Sequence, residues 1–462
     1  MSLSRQFAAF VADLTFDALP AAVVDRAKGV ILQALCSALI AHDMPATRQA
    51  HAMMRDEDAA GPATALGSGE KFTKAGAAFI NAEMIFAGGK WDTFRMLTHP
   101  GVAILPAALA AAEVTGCPGA TFLTAIAAGY EVLERMASEF IPTVMSRGFH
   151  AGPVFGIFGA AVAAAKIHGM DANQINGAIA QCVNLASGNL EGIRSGGRSL
   201  REGGAVRGAL LAVALARHGT PGGETTLEGE AGFYHAYTGN NHGALRYSFT
   251  GRNHANPLDI TKNLGQDWMF LETLFRVYST AGYNIAHVDV TAALCAEHKI
   301  VYADIDRIEA VVNWLETEYP SPAFPVRRID IPPKPGSTQY FTAYGAVTGG
   351  YPLLRGGEPA VGETDPQEVL DLMPRVTLIP MANRTLFGPR ITIFTKNGHS
   401  MTKDGTGREF IWDFETHVTR MRPITSGLAI SPARFESLIE TCRTLDRVEN
   451  AGRALIDRTI PA

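Results

Sequence analysis

The chain has 462 residues, enough for two to three domains at ordinary domain size. Lys and Arg number 40 and Asp and Glu 45, a net charge of −5, which gives no reason to expect a polyanion such as DNA as partner. Apolar residues make up 47% and charged residues 18%, so the chain must bury a large core and is not a disordered one. The five cysteines, Cys36, Cys117, Cys182, Cys295 and Cys442, are scattered and odd in number. They form no disulfide framework, zinc ribbon or iron–sulfur ligand set.

The first stretch, MSLSRQFAAFVADLTFDALP, carries Asp13 and Asp17 and no apolar run of signal length, so no secretory signal is expected. A soluble protein of a reducing compartment, the cytoplasm, is the expectation. The next 250 residues read as helices almost throughout. Ala, Leu, Val and Ile recur at helical spacing in AAVVDRAKGVILQALCSALIA, PAALAAAEV, TFLTAIAAGYEVLERMASEF and ANQINGAIAQCVNLASG. VRGALLAVALARHG adds a further helix, closed by basic residues and Gly. The stretch between Arg147 and Lys166 approaches the ~20 residues of a spanning helix. Its four glycines, its proline and its alanine bulk favour a buried core helix instead.

After about residue 270 the texture changes. IDRIEAVVNWLE, PRVTLIP and PRITIFTKNGHSMTKD read as strands, the last with an Asn-Gly turn suited to a hairpin. QYFTAYGAVTGGYPLL and DPQEVLDLM between them read as helices. From ETHVTRM onward helical spacing returns. The expected fold is mainly α: a large all-helical domain over 1–270, an inserted smaller α+β lid domain over 271–404, and a helical C-terminal segment over 405–462 that rejoins the first. A cleft between such domains is a favoured small-molecule site.

No phosphate-binding loop, dinucleotide fingerprint, zinc-protease helix or serine elbow is present in the sequence. What remains are polar clusters in glycine-rich, otherwise apolar surroundings. GGKWDTFRMLTHPG, residues 88–101, packs Lys90, Trp91, Asp92, Thr93, Arg95 and His99 ahead of an Ala-rich helix. SRGFHAGP places Arg147 and His150 before another. EGIRSGGRSLREGGAVRG carries Arg194, Arg198, Arg201 and Arg207 among six glycines, and FRVYSTAGYNIAHVD carries Arg276, Tyr278, Tyr283 and His287. Each has a bland reading. Asp92 caps a helix or pairs with Arg95, His99 bonds backbone, His150 is a satisfied core histidine, the arginines are solvated, and the tyrosines pack. Together they suit a carboxylate-binding acid/base site, because glycine lets backbone N–H groups and guanidinium forks approach one anion. Asp92, His99 and His150 would also suit a two-histidine, one-carboxylate iron set, although their spacing does not favour it.

In order, LPAAVVDRAKGVILQAL, KAGAAFINAEMIFA, WDTFRMLTHPG, GYEVLERM, RGFHAGPVFGIFGAAVAAAKIHGMDANQINGAIAQC, the R-x-L-x-x-G block at Arg198, FRVYSTAGYNIAHVD, TQYFTAYGAV and TLFGPRITIFTKNG run through nearly the whole chain. In them the chain resembles the MmgE/PrpD family, which includes 2-methylcitrate dehydratase, cis-aconitate decarboxylase and iminodisuccinate epimerase. The resemblance implies a helical domain with an α+β lid, a homodimer, no metal or organic cofactor, and chemistry that begins with a proton at carbon next to a carboxylate. It implies His99, His150 and Asp92 as catalytic, and Thr93, Arg198, Arg201, Arg276 and Tyr278 as substrate-binding; Lys90, unusual at its place, is expected to join them by supplying a missing cation. The family's first Asp falls on Gly89 and its middle one on Trp91. Its two lysines fall on Arg198 and Arg276, and a following His on Arg201. Arg keeps anion binding but cannot donate a proton near neutral pH, so acid/base duty falls on the two histidines, with Asp92 orienting or charge-pairing one of them. Dehydration is the first expectation; epimerisation, decarboxylation and a non-catalytic dimeric binding protein are the alternatives.

Overall fold

The structure is a computed structural model that describes residues 1–194, 200–278, 280–319, 321–324, 326–352, 354–355, 358–359 and 365–461. The chain forms two compact units. The first comprises Met1–Leu245, His254–Val277 and Asp413–Ala462; the second comprises Arg246–Asn253 and Tyr278–Trp412.

Helices of the first unit are α1 (Leu3–Asp13), α2 (Ala21–Ile40), α3 (Pro45–Glu57), α4 (Lys74–Gly88), α5 (Pro100–Thr115), α6 (Gly119–Ala137), α7 (Ile141–Ser146), α8 (Ala151–Ile167), α9 (Ala172–Leu185), α10 (Leu200–Arg217) and α11 (Phe233–Thr238). Two antiparallel pairs, β1 (Ala63–Thr64) with β2 (Lys71–Phe72) and β3 (Asp92–Thr93) with β4 (Leu274–Phe275), interrupt an otherwise helical body. The Ala-rich segments α5 and α8 are buried on nearly all sides, as helices without a polar face must be. Glycine lets them close up. A Cβ on Gly129 of α6 would lie 2.7 Å from the carbonyl of Gly159 in α8, and one on Gly159 would lie 2.8 Å from that of Gly129. The membrane reading of this stretch fails, since no described helix is long and apolar enough to cross a bilayer.

Contacts at the helix ends fix their directions. Lys71 and Thr64, just before α4, bond to Glu113 at the end of α5. At the start of α10 the Gly203 amide donates to Glu83 Oε1 on α4 at 3.2 Å, while Arg217 at its end acts electrostatically on Lys74 at the start of α4. His150 before α8 is 4.0 Å from Glu202 on α10, and His168 after it feels Arg217 and Lys74. Hence α5, α8 and α10 run parallel to one another and against α4. Their three N-termini meet at the end where the 89–99 segment leaves α4.

In the second unit, α12 (Gly282–His298), α13 (Trp314–Thr317), α14 (Thr338–Thr348) and α15 (Gln367–Leu372) accompany the strands β5 (Ile305–Asn313), β6 (Leu354–Arg355), β7 (Glu358–Pro359), β8 (Val376–Met381), β9 (Arg390–Thr395) and β10 (Ser400–Asp404). A four-stranded sheet runs β10-β9-β5-β8, with β5 and β8 parallel and β9 antiparallel to β5 and β10. The Asn-Gly hairpin read from the sequence joins β9 to β10. The expected strand IDRIEAVVNWLE ends early: Asn313 caps α13 by accepting the Leu315 amide, so the last three residues turn helical. The chain then rejoins the first unit through α16 (Phe414–Met421), α17 (Pro432–Arg443) and α18 (Ala451–Thr459).

Candidate active site

Gly89 ends α4 in the left-handed conformation (φ 71°), which turns the chain sharply into Lys90, Trp91 and the strand Asp92–Thr93. That strand pairs with β4, Asp92 opposite Phe275 and Thr93 opposite Leu274, so Trp91 and Arg276 become cross-strand neighbours. The Arg276 guanidinium lies 4.4 Å over the Trp91 ring. This strand pairing holds Arg276 in the first unit. On its other side the indole stacks on Phe86, and its Nε1 donates to the carbonyls of Ile85 and Phe86. His99 approaches the same ring, with centroids 4.5 Å apart.

His99 caps α5. Its Nδ1 lies 3.0 Å from the Asp92 carbonyl oxygen and 3.3 Å from Thr93 Oγ1. A carbonyl can only accept, so Nδ1 carries the proton and Nε2 of the neutral ring is a base. Of the two roles expected for Asp92, orienting or charge-pairing a histidine, the contact to His99 is the orienting one, and it is made by the Asp92 main chain. The carboxylate accepts the Gly101 amide at 3.0 and 3.2 Å and the hydroxyl of Tyr130 on α6. Gly101 is obligatory there, because a Cβ would come within 2.7 Å of that hydroxyl and 3.1 Å of both carboxylate oxygens. Burial pushes Asp92 up to about 6, against the opposing pull of Tyr130, Gly101 and Arg276. Lys90 is 2% exposed, and burial, then the charge of Arg276, lowers it to about 8. Tyr130 is pushed well above its ordinary value by burial and by Asp92, and so stays protonated.

His150 holds the same N-cap position on α8, at the same end of the parallel set, but unlike His99 it caps with its side chain. Its Nδ1 accepts the Gly152 amide at 3.1 Å, so the neutral ring carries its proton on Nε2. The two histidines thus hold opposite tautomers. Three helix N-termini, the Lys90 amine and the Arg276 guanidinium give this end a positive character suited to carboxylates.

The structure joins Lys90, Asp92, Thr93, His99 and Arg276 in one constellation and sets His150 at the same end. Arg198 lies outside the described residues, and so do the side chains of Arg194 and Arg201. Tyr278 belongs to the second unit, where it stacks on Tyr351 at 3.8 Å. His287 is buried against Thr342 in that unit and held near 3 by burial, which makes it a core residue. The iron set does not assemble: among the described residues, no group of three or more His, Cys, Asp or Glu is placed to hold an ion. Tyr130, Gly101, Glu202 and Glu83 were not singled out from the sequence. Tyr130 stood inside the GYEVLERM segment, and its burial on the Asp92 side was the missing fact. A cavity of about 360 Å³ lies at the far end of α5, among Thr64, Lys71, Glu113, Asn450 and Arg453, and none of the expected site residues lines it.

Comparison with known proteins matches this architecture to a family. Residues 5–245 match the MmgE/PrpD N-terminal domain, and the chain belongs to the MmgE/PrpD family. It is 26% identical over 293 residues to the cis-aconitate decarboxylase-like protein oryM of Aspergillus oryzae, covering 61% of this chain and 59% of that protein. Over 164 residues it is 32% identical to the cis-aconitate decarboxylase of Homo sapiens, 34% of each chain. Over 285 residues it is 25% identical to that of Aspergillus terreus, covering 59% and 56%. The matched stretches therefore span between about a third and three fifths of these relatives.

Proposed function

We propose that the chain is a lyase that acts on a small carboxylate or polycarboxylate through proton transfer at the carbon next to a carboxylate, dehydration being the reaction. The observation that carries this is the fixed tautomer of His99, which leaves Nε2 as the basic nitrogen of a ring packed on the Trp91 indole that Arg276 also covers. His99 Nε2 takes the α-proton. Arg276 and Lys90 clamp substrate carboxylates and stabilise the enediolate charge, which the three helix N-termini also favour. His150 protonates the departing hydroxyl, a step that needs its imidazolium form. Asp92 and Thr93 hold His99 in line. In the same reading Arg198 and Arg201 complete the substrate contacts. The working form is a cytoplasmic homodimer without metal or organic cofactor.

Decarboxylation is the second reading, favoured by the names of the relatives. There, His150 would protonate carbon as CO2 leaves, and His99 would only bind. Proton NMR in heavy water separates the two. With 2-methylcitrate, citrate, malate and cis-aconitate as substrates, dehydration gives deuterium exchange and loss of water that stop in His99→Asn. Decarboxylation gives CO2 with His99→Asn retaining part of the rate. Epimerisation of an iminodisuccinate-like acid shows as inversion on a chiral column with no group lost. If no acid exchanges, loses water, loses CO2 or inverts, the enzyme reading falls and the binding-protein alternative stands.

A further inference from the structure

We propose that Glu202 is a positioning residue: the resident counter-ion that lets His150 carry a second proton. This rests on the reading of His150 as the acid. Two forces oppose a charged ring there. His150 is 2% exposed, and it caps α8 at the positive end of the helix. Its Nε2 already holds a proton, so the second proton goes to Nδ1. A protonated Nδ1 can no longer accept the Gly152 amide and needs an acceptor in its place. The Glu202 carboxylate, 1% exposed, stands 4.0 Å from Nδ1. That separation is too long for a hydrogen bond and at the outer limit of an ion pair, so a small ring shift exchanges one partner for the other.

The lane between them is kept open and aimed. A Cβ on Gly152 would fall 2.7 Å from Glu202 Oε1 and 3.0 Å from His150 Nδ1, so no side chain fits between acid and ring. The next residue along, Gly203, donates its amide to Glu83 of α4, and a Cβ there would strike Phe79 at 2.5 Å. This locks the start of α10 between α4 and α8 and presses Glu202 toward the histidine. The other titratable or charged groups described at this end include Glu83 on α4, the Lys90, Asp92 and His99 cluster before α5 with Tyr130 and Arg276 against it, and Tyr237, whose hydroxyl bonds the Ala186 carbonyl. Arg147 points away, to the Ala236 carbonyl. The cycle is balanced. A proton enters at Nδ1 as Glu202 becomes its partner, and the Nε2 proton leaves with the departing group. The ring is then neutral with its remaining proton on Nδ1, facing Glu202, and the resting tautomer returns when Nε2 takes a proton from solvent and Nδ1 gives its own back, freeing Nδ1 to accept the Gly152 amide again.

The test is histidine-selective 15N NMR of the full chain, with His150 assigned through His150→Asn, across a pH titration of wild type, Glu202→Gln and Glu202→Asp. The expected result is an unprotonated Nδ1 in the neutral wild type. Its protonation then moves down by roughly one to three pH units in the Gln variant and largely returns in the Asp variant. On any acid that the wild type turns over, Glu202→Gln lowers kcat by roughly a hundredfold with KM little changed. Equal titration of His150 in wild type and Gln variant, or an Nδ1 already protonated in the neutral protein, overturns the proposal. If no acid is turned over, the lyase reading fails while the titration still decides the role of Glu202.

Discussion

The two ends of one helix set hold similar residues and opposite chemistry. At one end His168, Lys74 and Arg217 gather where α8 and α10 finish. Burial, then the charges of Arg217 and Lys74, hold His168 down to about 4, with no carboxylate among the causes. At the other end His99, His150, Lys90 and Arg276 gather with Asp92 and Glu202. There each functional group is gripped: His99 by a carbonyl, His150 by an amide, Asp92 by Tyr130 and Gly101, and Arg276 by the Trp91 ring. A buried histidine beside cations is therefore not by itself a site. A fixed proton position and a paired counter-charge make the difference.

The largest test of that contrast is His99→Ala, expected to lower turnover by roughly 100- to 10,000-fold while folding is kept; a loss below about tenfold would erase the distinction between the ends. Gly101→Ala comes next, because its methyl collides with Tyr130 and the Asp92 carboxylate. Overpacking costs about 1–3 kcal/mol in chemical denaturation, and turnover falls with it. Asp92→Asn separates charge from shape. The folded carboxyl titrates near 6 instead of 3.8, so above pH 6 the fold bears the cost of an unfavourable buried charge. The Asn variant should gain up to about 3 kcal/mol at pH 8 and nothing below pH 3, while losing activity. Lys90→Met should raise KM more than it lowers kcat. Because the buried amine is held near 8, the variant should also be the more stable protein at pH 7, with the gain vanishing above about pH 10.5. The smallest effect belongs to His168→Gln: activity unchanged at neutral pH, and a modest stability gain confined to pH below about 6.5, where the unfolded ring takes a proton that the folded one refuses.

Much of this was legible in the residues. Helical spacing marked α2, α6, α8 and α9, and β-rich runs marked β5, β8 and the β9–β10 hairpin. The polar loop before α5 drew notice through its density of chemistry-bearing side chains. Three things were out of reach. The parallel run of α5, α8 and α10 depends on contacts such as Gly203 to Glu83, far apart in sequence. The tautomers of His99 and His150 depend on which backbone group each ring meets. The buried acids are the third: Glu131, Glu134 and Glu202 sit on helices where an acid usually faces water, and only packing shows all three to be buried.

The backbone-to-backbone seam at Gly129 and Gly159 has an evolutionary consequence. Where two main chains touch, no new functional group can be introduced midway along the rods without forcing them apart. Novelty in such a scaffold is confined to its rims, so descendants can trade one reaction for another by editing capping loops while inheriting an untouched interior.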